Sequence, residues 1–138
     1  MAETDRSYAG VHYVNYGQIG LWDKADPSAY PLPNGPLPWW GPKGVVVPAL
    51  DDAEVSVQVN FEPASADDGY RLLTQGEIEV GRKGLTVGNV TTASTADLPC
   101  RRGRYTVSCY YRGSSPQQSN ALLFALSSSV AEKGAGDP

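Results

Sequence analysis

The sequence predicts an all-β protein: a two-layer antiparallel β-sandwich of about seven or eight strands that carries one long Pro- and Trp-rich loop. Three observations predict it. Apolar residues alternate with polar ones over short stretches. Those stretches are punctuated by Gly, Pro, Asn and Asp, and 15 Gly and 11 Pro in 138 residues are enough to end many short strands. No segment sustains the 3.6-residue apolar period of an amphipathic helix. Residues 1–130 read as one domain, large enough to bury roughly two thirds of the surface that its unfolded chain exposes. Residues 131–138 carry Gly, Asp and Pro without apolar periodicity and are expected to form a disordered tail.

The elements follow in order. Val11 to Trp22 reads as a strand pair or one bent strand, broken at Asn15 to Gly17. Pro27 to Pro42 holds six prolines around Asn34-Gly35 and Trp39-Trp40, so its backbone must be extended or turning and cannot be a central strand. Val45 to Leu50 reads as a short apolar edge strand, because Pro48 has no N–H to give to a neighbour. Glu54 to Phe61 is the clearest strand: Val55, Val57, Val59 and Phe61 face one way, and Glu54, Ser56, Gln58 and Asn60 the other. Arg71 to Val80 and Leu85 to Val90 flank Gly81-Arg82-Lys83-Gly84, which reads as a tight hairpin. Pro99 to Gly103 launches the strand Arg104 to Tyr111, whose Tyr105, Val107, Cys109 and Tyr111 share the inward face. Asn120 to Ser127 closes the set.

Composition narrows the function. With 41% hydrophobic and 19% charged residues the chain is a globular rather than a disordered one, and no apolar run approaches the roughly 18 residues of a membrane span. The charged start MAETDRSYAG lacks the apolar core of a signal peptide, which predicts a cytoplasmic location, at the inner face of the membrane only where a partner brings it there. A net charge of −4 argues against nucleic acid as a direct partner, since neutralising phosphates takes a basic surface. The charge is also divided unevenly. Residues 1–70 hold ten acids and three bases, a balance of −7, while residues 71–138 hold five acids and eight bases, a balance of +3.

Catalytic chemistry is poorly served. His12 is the sole histidine and Cys100 and Cys109 the only cysteines, too few for a structural zinc site, and no serine stands in a nucleophile elbow. The two thiols read as one buried in a strand and one near a turn; a disulfide is possible and not required. Asp51, Asp52 and Glu54 cluster, as do Asp67 and Asp68, but neither group has the spacing of a calcium loop, so solvated turn acids are the simpler reading. Arg101-Arg102-Gly103-Arg104 could meet an anion or a partner's carboxylates, or be solvated turn charge. Successive residues rarely both point inward, so one of Trp39 and Trp40 is a candidate for exposure and binding, against the reading that both fold back from the loop as a lid over one end of the core. No cofactor and no metal is expected. What remains is an acidic scaffold with an aromatic loop, the profile of a binding protein.

The runs VHYVNYGQIGLWD, VSVQVNFEP and GEIEVGRKGLTVGNV, then DLPCRRGRYTVSCYY and ALLFAL, together resemble the bacterial competence protein J (ComJ) family and related small immunity-type proteins. The resemblance covers most of residues 10–127, Pro27 to Pro42 excepted. It implies an inhibitor that directly binds a cognate DNA-cleaving nuclease or toxin, and it implies no catalytic residue. An acidic inhibitor is steered toward the positive groove of such an enzyme. The expected partner-binding residues are therefore Trp39, Trp40, Asp51, Asp52, Asp67 and Asp68. The alternative is a carbohydrate- or small-ligand-binding module whose exposed tryptophans stack on sugar rings.

Overall fold

The alternation along Glu54–Phe61 and its counterparts resolves into strands in the computed structural model, which describes residues 7–61 and 69–128. In chain order they are β1 (Tyr8–Val14), β2 (Gln18–Asp23), β3 (Trp39–Gly41), β4 (Gly44–Pro48), β5 (Ala53–Asn60), β6 (Tyr70–Val80), β7 (Leu85–Asn89), β8 (Ser94–Leu98), β9 (Gly103–Arg112) and β10 (Ala121–Ser128). They form two five-stranded sheets, ordered β1-β5-β10-β9-β6 and β3-β4-β2-β7-β8. Inward residues of both contribute to one apolar cluster: Val55, Val57, Val107 and Phe124 from the first sheet, Ile19, Leu21, Val45 and Val87 from the second. In β5 the period of two is exact to the residue, with Val55, Val57 and Val59 fully buried between exposed Glu54, Ser56 and Gln58. Tyr105, Val107 and Cys109 are buried as their alternation requires, while Tyr111 is only partly buried.

Several expectations are corrected. The sheets are mostly antiparallel, but β10 runs parallel to β5, Leu122 opposite Val57. A strand inserted between β5 and β9 must run parallel to one of them when those two lie antiparallel to each other, as they do here. Gly81-Arg82-Lys83-Gly84 is a turn but not a hairpin, because β6 pairs with β9 in one sheet and β7 pairs with β2 and β8 in the other. The strand at Val45 is interior rather than an edge: β3 covers its outer side as far as Val46, and Pro48 lies beyond that pairing. The break at residues 15–17 separates β1 and β2 into different sheets, so they are neither a pair nor one bent strand. A strand the sequence did not announce, β8, pairs with β7. The expected disordered tail lies outside the described residues.

Residues 27–42 are likewise more ordered than a plain loop. They contain a 3-10 turn at Pro27–Ala29 and the edge strand β3. Asp26 caps that turn by accepting from Ser28 N at 2.9 Å and Ser28 Oγ at 2.7 Å. These bonds, with Lys43 at 3.1 Å, hold its carboxyl at about 2. The segment then packs on the outer face of β2: Tyr30 meets Trp22 edge-on at 4.9 Å, and a Cβ on Gly20 would lie 2.9 Å from the Tyr30 ring.

His12 is a buried structural residue. Its Nδ1–H donates to the carbonyl of Ser94 at 2.8 Å, and its Nε2 pairs with the hydroxyl of Tyr8 at 2.7 Å. The bond ties β1 to β8 across the two sheets. Cys100 and Cys109 are free and buried. Burial pushes the Cys109 thiol far above its ordinary range, so it is no nucleophile. No helix among the described residues is long and apolar enough to cross a membrane.

Val57 is fully buried between Leu122 and Gly10 in the first sheet. Val57→Asp is expected to cost more than about 4 kcal/mol, because it places an unpaired charge in the shared core. Gln58→Ala, one residue on and exposed, is expected to change stability by less than about 0.5 kcal/mol. Urea unfolding of both variants checks the assignment of faces.

Candidate functional site

The chain passes between sheets at four places: β1 to β2, β4 to β5, β6 to β7 and β8 to β9. The registers place the first two at one end of the molecule and the last two at the other, separated by the six residues of β2, or about 20 Å. At the first end, residues 15–17 and 49–52 meet residues 90–93, which close the β7–β8 hairpin.

A buried asparagine organises this corner. Asn89, with no exposed surface, donates from Nδ2 to the carbonyls of Asn15 at 2.8 Å and Gln18 at 2.7 Å. Its Oδ1 accepts from Thr91 Oγ1 at 2.7 Å and Thr92 N at 3.0 Å, so every polar group it buries is bonded. Thr92 Oγ1 in turn donates to the carbonyl of Tyr13 at 2.9 Å. Asp51 accepts from Gly17 N at 3.0 Å, and Asp52 N donates to the carbonyl of Val14 at 2.9 Å. The three non-glycine residues with left-handed backbone among the described residues are Tyr16 (φ 61°), Asp52 (φ 55°) and Ala93 (φ 57°), one in each of the three turns. Each such residue costs about 1–2 kcal/mol, and strain of this kind collects where a surface is shaped for a task.

The network presents a particular surface. Tyr16 is 70% exposed and Tyr13 43%, beside the exposed carboxylates of Asp51, Asp52 and Glu54. The hydroxyl of Tyr13 donates to Asp52 Oδ1, which steers that carboxylate along the tyrosine edge. Residues 11–22, 45–61 and 85–96 contain no Lys or Arg, so no cation within these segments opposes the acids. Among the described residues, no group of three or more His, Cys, Asp or Glu is placed to hold a metal ion. The arrangement offers a braced, negative, aromatic surface suited to a basic partner.

Of the sequence-predicted site residues, Asp51 and Asp52 lie in this corner. Asp67 and Asp68 lie outside the described residues. Trp39 and Trp40 sit elsewhere, on edge strand β3. The Trp40 ring packs against the shared core and over Gly76 of β6, where a Cβ would come within 2.9 Å of it, and its Nε1 donates to Thr74 Oγ1 at 3.1 Å. Trp39, on the opposite face by alternation, donates to the carbonyl of Gly35 at 2.9 Å. Sequence reasoning missed Tyr13, Tyr16 and Asn89. The outward register of Tyr13 beside Val14, and the placing of Tyr16 within the strand break, are the signals that could have found the tyrosines.

Fold and site together define a β-rich, two-sheet protein with an acidic, tyrosine-bearing corner. No family model matches the chain, and a search of curated proteins found no match. Solved structures are more informative. The chain has the ComJ fold: it matches ComJ from Bacillus subtilis, described as an inhibitor of the DNA degrading activity of NucA, with a TM-score of 0.62 over 90% of this chain and 98% of ComJ at 13% identity. It also matches a protein described as crocagin biosynthetic gene J, with a TM-score of 0.57 over 91% of this chain and 98% of that one, again at 13% identity.

Two stability outcomes are expected. Asn89→Ala strands the carbonyls of Asn15 and Gln18 and is expected to cost about 2–4 kcal/mol, read by urea unfolding. Trp40→Ala is expected to cost about 3 kcal/mol and Trp39→Ala less than about 1 kcal/mol. Equal losses would mean that both rings serve as a lid.

Proposed function

We propose that this protein inhibits a nuclease by binding it directly, and that it does so through the acidic corner. The observation that carries the reading is the fold shared with a nuclease inhibitor over nearly the whole of both chains. The physics of the corner supports it. A nuclease must attract DNA and so carries a positive groove; Asp51, Asp52 and Glu54 steer toward such a groove, and Tyr13 and Tyr16 supply contact area of low conformational entropy. The braced turns lower the ordering cost of association.

In this reading the protein is a non-enzymatic, cytoplasmic binder on a two-layer sandwich scaffold, and the partner is the nuclease or nuclease toxin of a neighbouring reading frame. Asp67 and Asp68 add negative charge to the partner-binding set, and Trp39 adds contact from β3 while Trp40 serves the core. The sugar-stacking alternative draws no support from β3, since Trp40 is turned against Gly76 and Thr74.

Inhibition of DNA degradation by the neighbouring gene's nuclease, followed on a plasmid substrate, tests the function; no inhibition at a large molar excess refutes it. Replacing Asp51, Asp52, Asp67 and Asp68 by Asn is expected to slow association about tenfold and flatten its salt dependence, with less effect on dissociation. Tyr16→Ala is expected to act oppositely, raising the dissociation rate about tenfold or more. Biosensor kinetics at two ionic strengths separate the two effects.

A further inference from the structure

The other pair of crossings, β6 to β7 and β8 to β9, is as basic as the first pair is acidic. Residues 81–84 and 99–103 are pressed together there. Gly84 holds φ 83°, and a Cβ on it would lie 2.6 Å from the carbonyl oxygen of Leu98, so only glycine allows this approach. Gly81 N–H donates to the buried carboxylate of Asp23 at 3.1 Å, which pins the turn from below. The result sets Arg82 and Lys83 against Arg101 and Arg102.

Two adjoining cavities open at this end. One, of about 440 Å³, is lined by Asp23, Lys43, Glu79 and Arg104 together with Arg82 and Arg102. The other, of about 370 Å³, is lined by Lys83, Pro99, Cys100 and Arg101, again with Arg82 and Arg102. Both are of ligand size. The neighbouring ion pairs are taken: Lys24 with Asp97 at 3.0 Å, Lys43 with Asp26 at 3.1 Å, and Arg104 near Glu77 at 3.8 Å. Among the described residues no carboxylate is paired with Arg82, Lys83 or Arg102. A protein of net charge −4 thus gathers three exposed like charges around one pair of cavities.

We propose that this recess binds a small oxyanion-bearing molecule, its phosphate or carboxylate clasped between Arg82 and Arg102. Two guanidinium forks at a shared wall suit an oxyanion with paired acceptors. Asp23 and Glu79 in the larger cavity would accept N–H or O–H groups from the body of the ligand. The same carboxylates oppose an extended polyphosphate, which favours a small molecule over a nucleic acid. The site stands apart from the acidic corner and does not depend on the nuclease reading.

Titration of the full chain, labelled with nitrogen-15, by pyrophosphate and separately by citrate at low ionic strength tests it. Saturable shifts of the amides in residues 81–84 and 100–103, with a Kd below about 1 mM for either anion, are expected, and the better ligand tells phosphate from carboxylate chemistry. Arg82→Gln with Arg102→Gln is expected to weaken binding at least about tenfold without changing Tm. Should that variant fail to fold, Glu79→Gln reads the same site in the opposite direction, since removing its charge is expected to tighten binding severalfold. The absence of shifts at about 10 mM of both anions overturns the proposal, as does unchanged affinity in the variants. A response to duplex DNA alone overturns it too, marking an unspecific polyanion surface.

Discussion

The interlayer shared by the two sheets is the constraint from which the rest follows. Val55, Val57 and Phe124 on one side and Leu21, Val45 and Val87 on the other are buried only because the chain feeds both sheets alternately. Each passage between sheets interrupts a hydrogen-bonded ladder and leaves backbone groups to be satisfied by other means. The four passages gather in pairs, so that each pair braces itself. One pair is held by Asn89 and Asp51, the other by Asp23 and the close approach of Gly84 to Leu98. Buried or bonded polar side chains thus do at the ends of the sheets what the ladders do in their middles.

The pairing also polarises the molecule. Among the described residues, Asp51, Asp52 and Glu54 stand at one end of β2, and Arg82, Lys83, Arg101 and Arg102 at the other. Charge of one sign on a rigid corner raises encounter rates with a complementary surface, and charge of the other sign at a distant corner keeps the molecule oriented as it approaches. In the proposed function the negative end meets the nuclease, which leaves the positive end for the separate ligand proposed above.

Much of the fold was legible where one face of a strand is buried and the other wet. β5 shows this best, because Val and polar residues alternate without a break. β8, Ser94 to Leu98, has only Ala96 and Leu98 to alternate with Thr95 and Asp97, too short a pattern to announce a strand, and it depends on pairing with β7. The turn at residues 81–84 was legible as a turn, but local chemistry does not say which sheet receives the next strand. β7 and β4 are buried on both faces, so their apolar runs hold no period that distinguishes edge from interior. Within the site, Asp51 and Asp52 could be read from composition. Tyr13 and Tyr16 could not, because a tyrosine in an alternating strand looks the same whether it faces solvent or core, and the left-handed backbone of Tyr16 depends on bonds from Asn89 and Asp51 far along the chain. Trp39 and Trp40 drew attention as a pair, yet strand alternation assigns them to different environments.

The central claim is that the acidic corner is the surface that meets the nuclease. Amide hydrogen exchange of the protein alone and in complex with the neighbouring gene's nuclease tests it most directly. The account predicts slowed exchange at residues 15–17, 51–53 and 90–93, with residues 81–84 and 100–103 unchanged. Protection confined to the basic end, or a complex that leaves the corner amides exchanging as in the free protein, would contradict it.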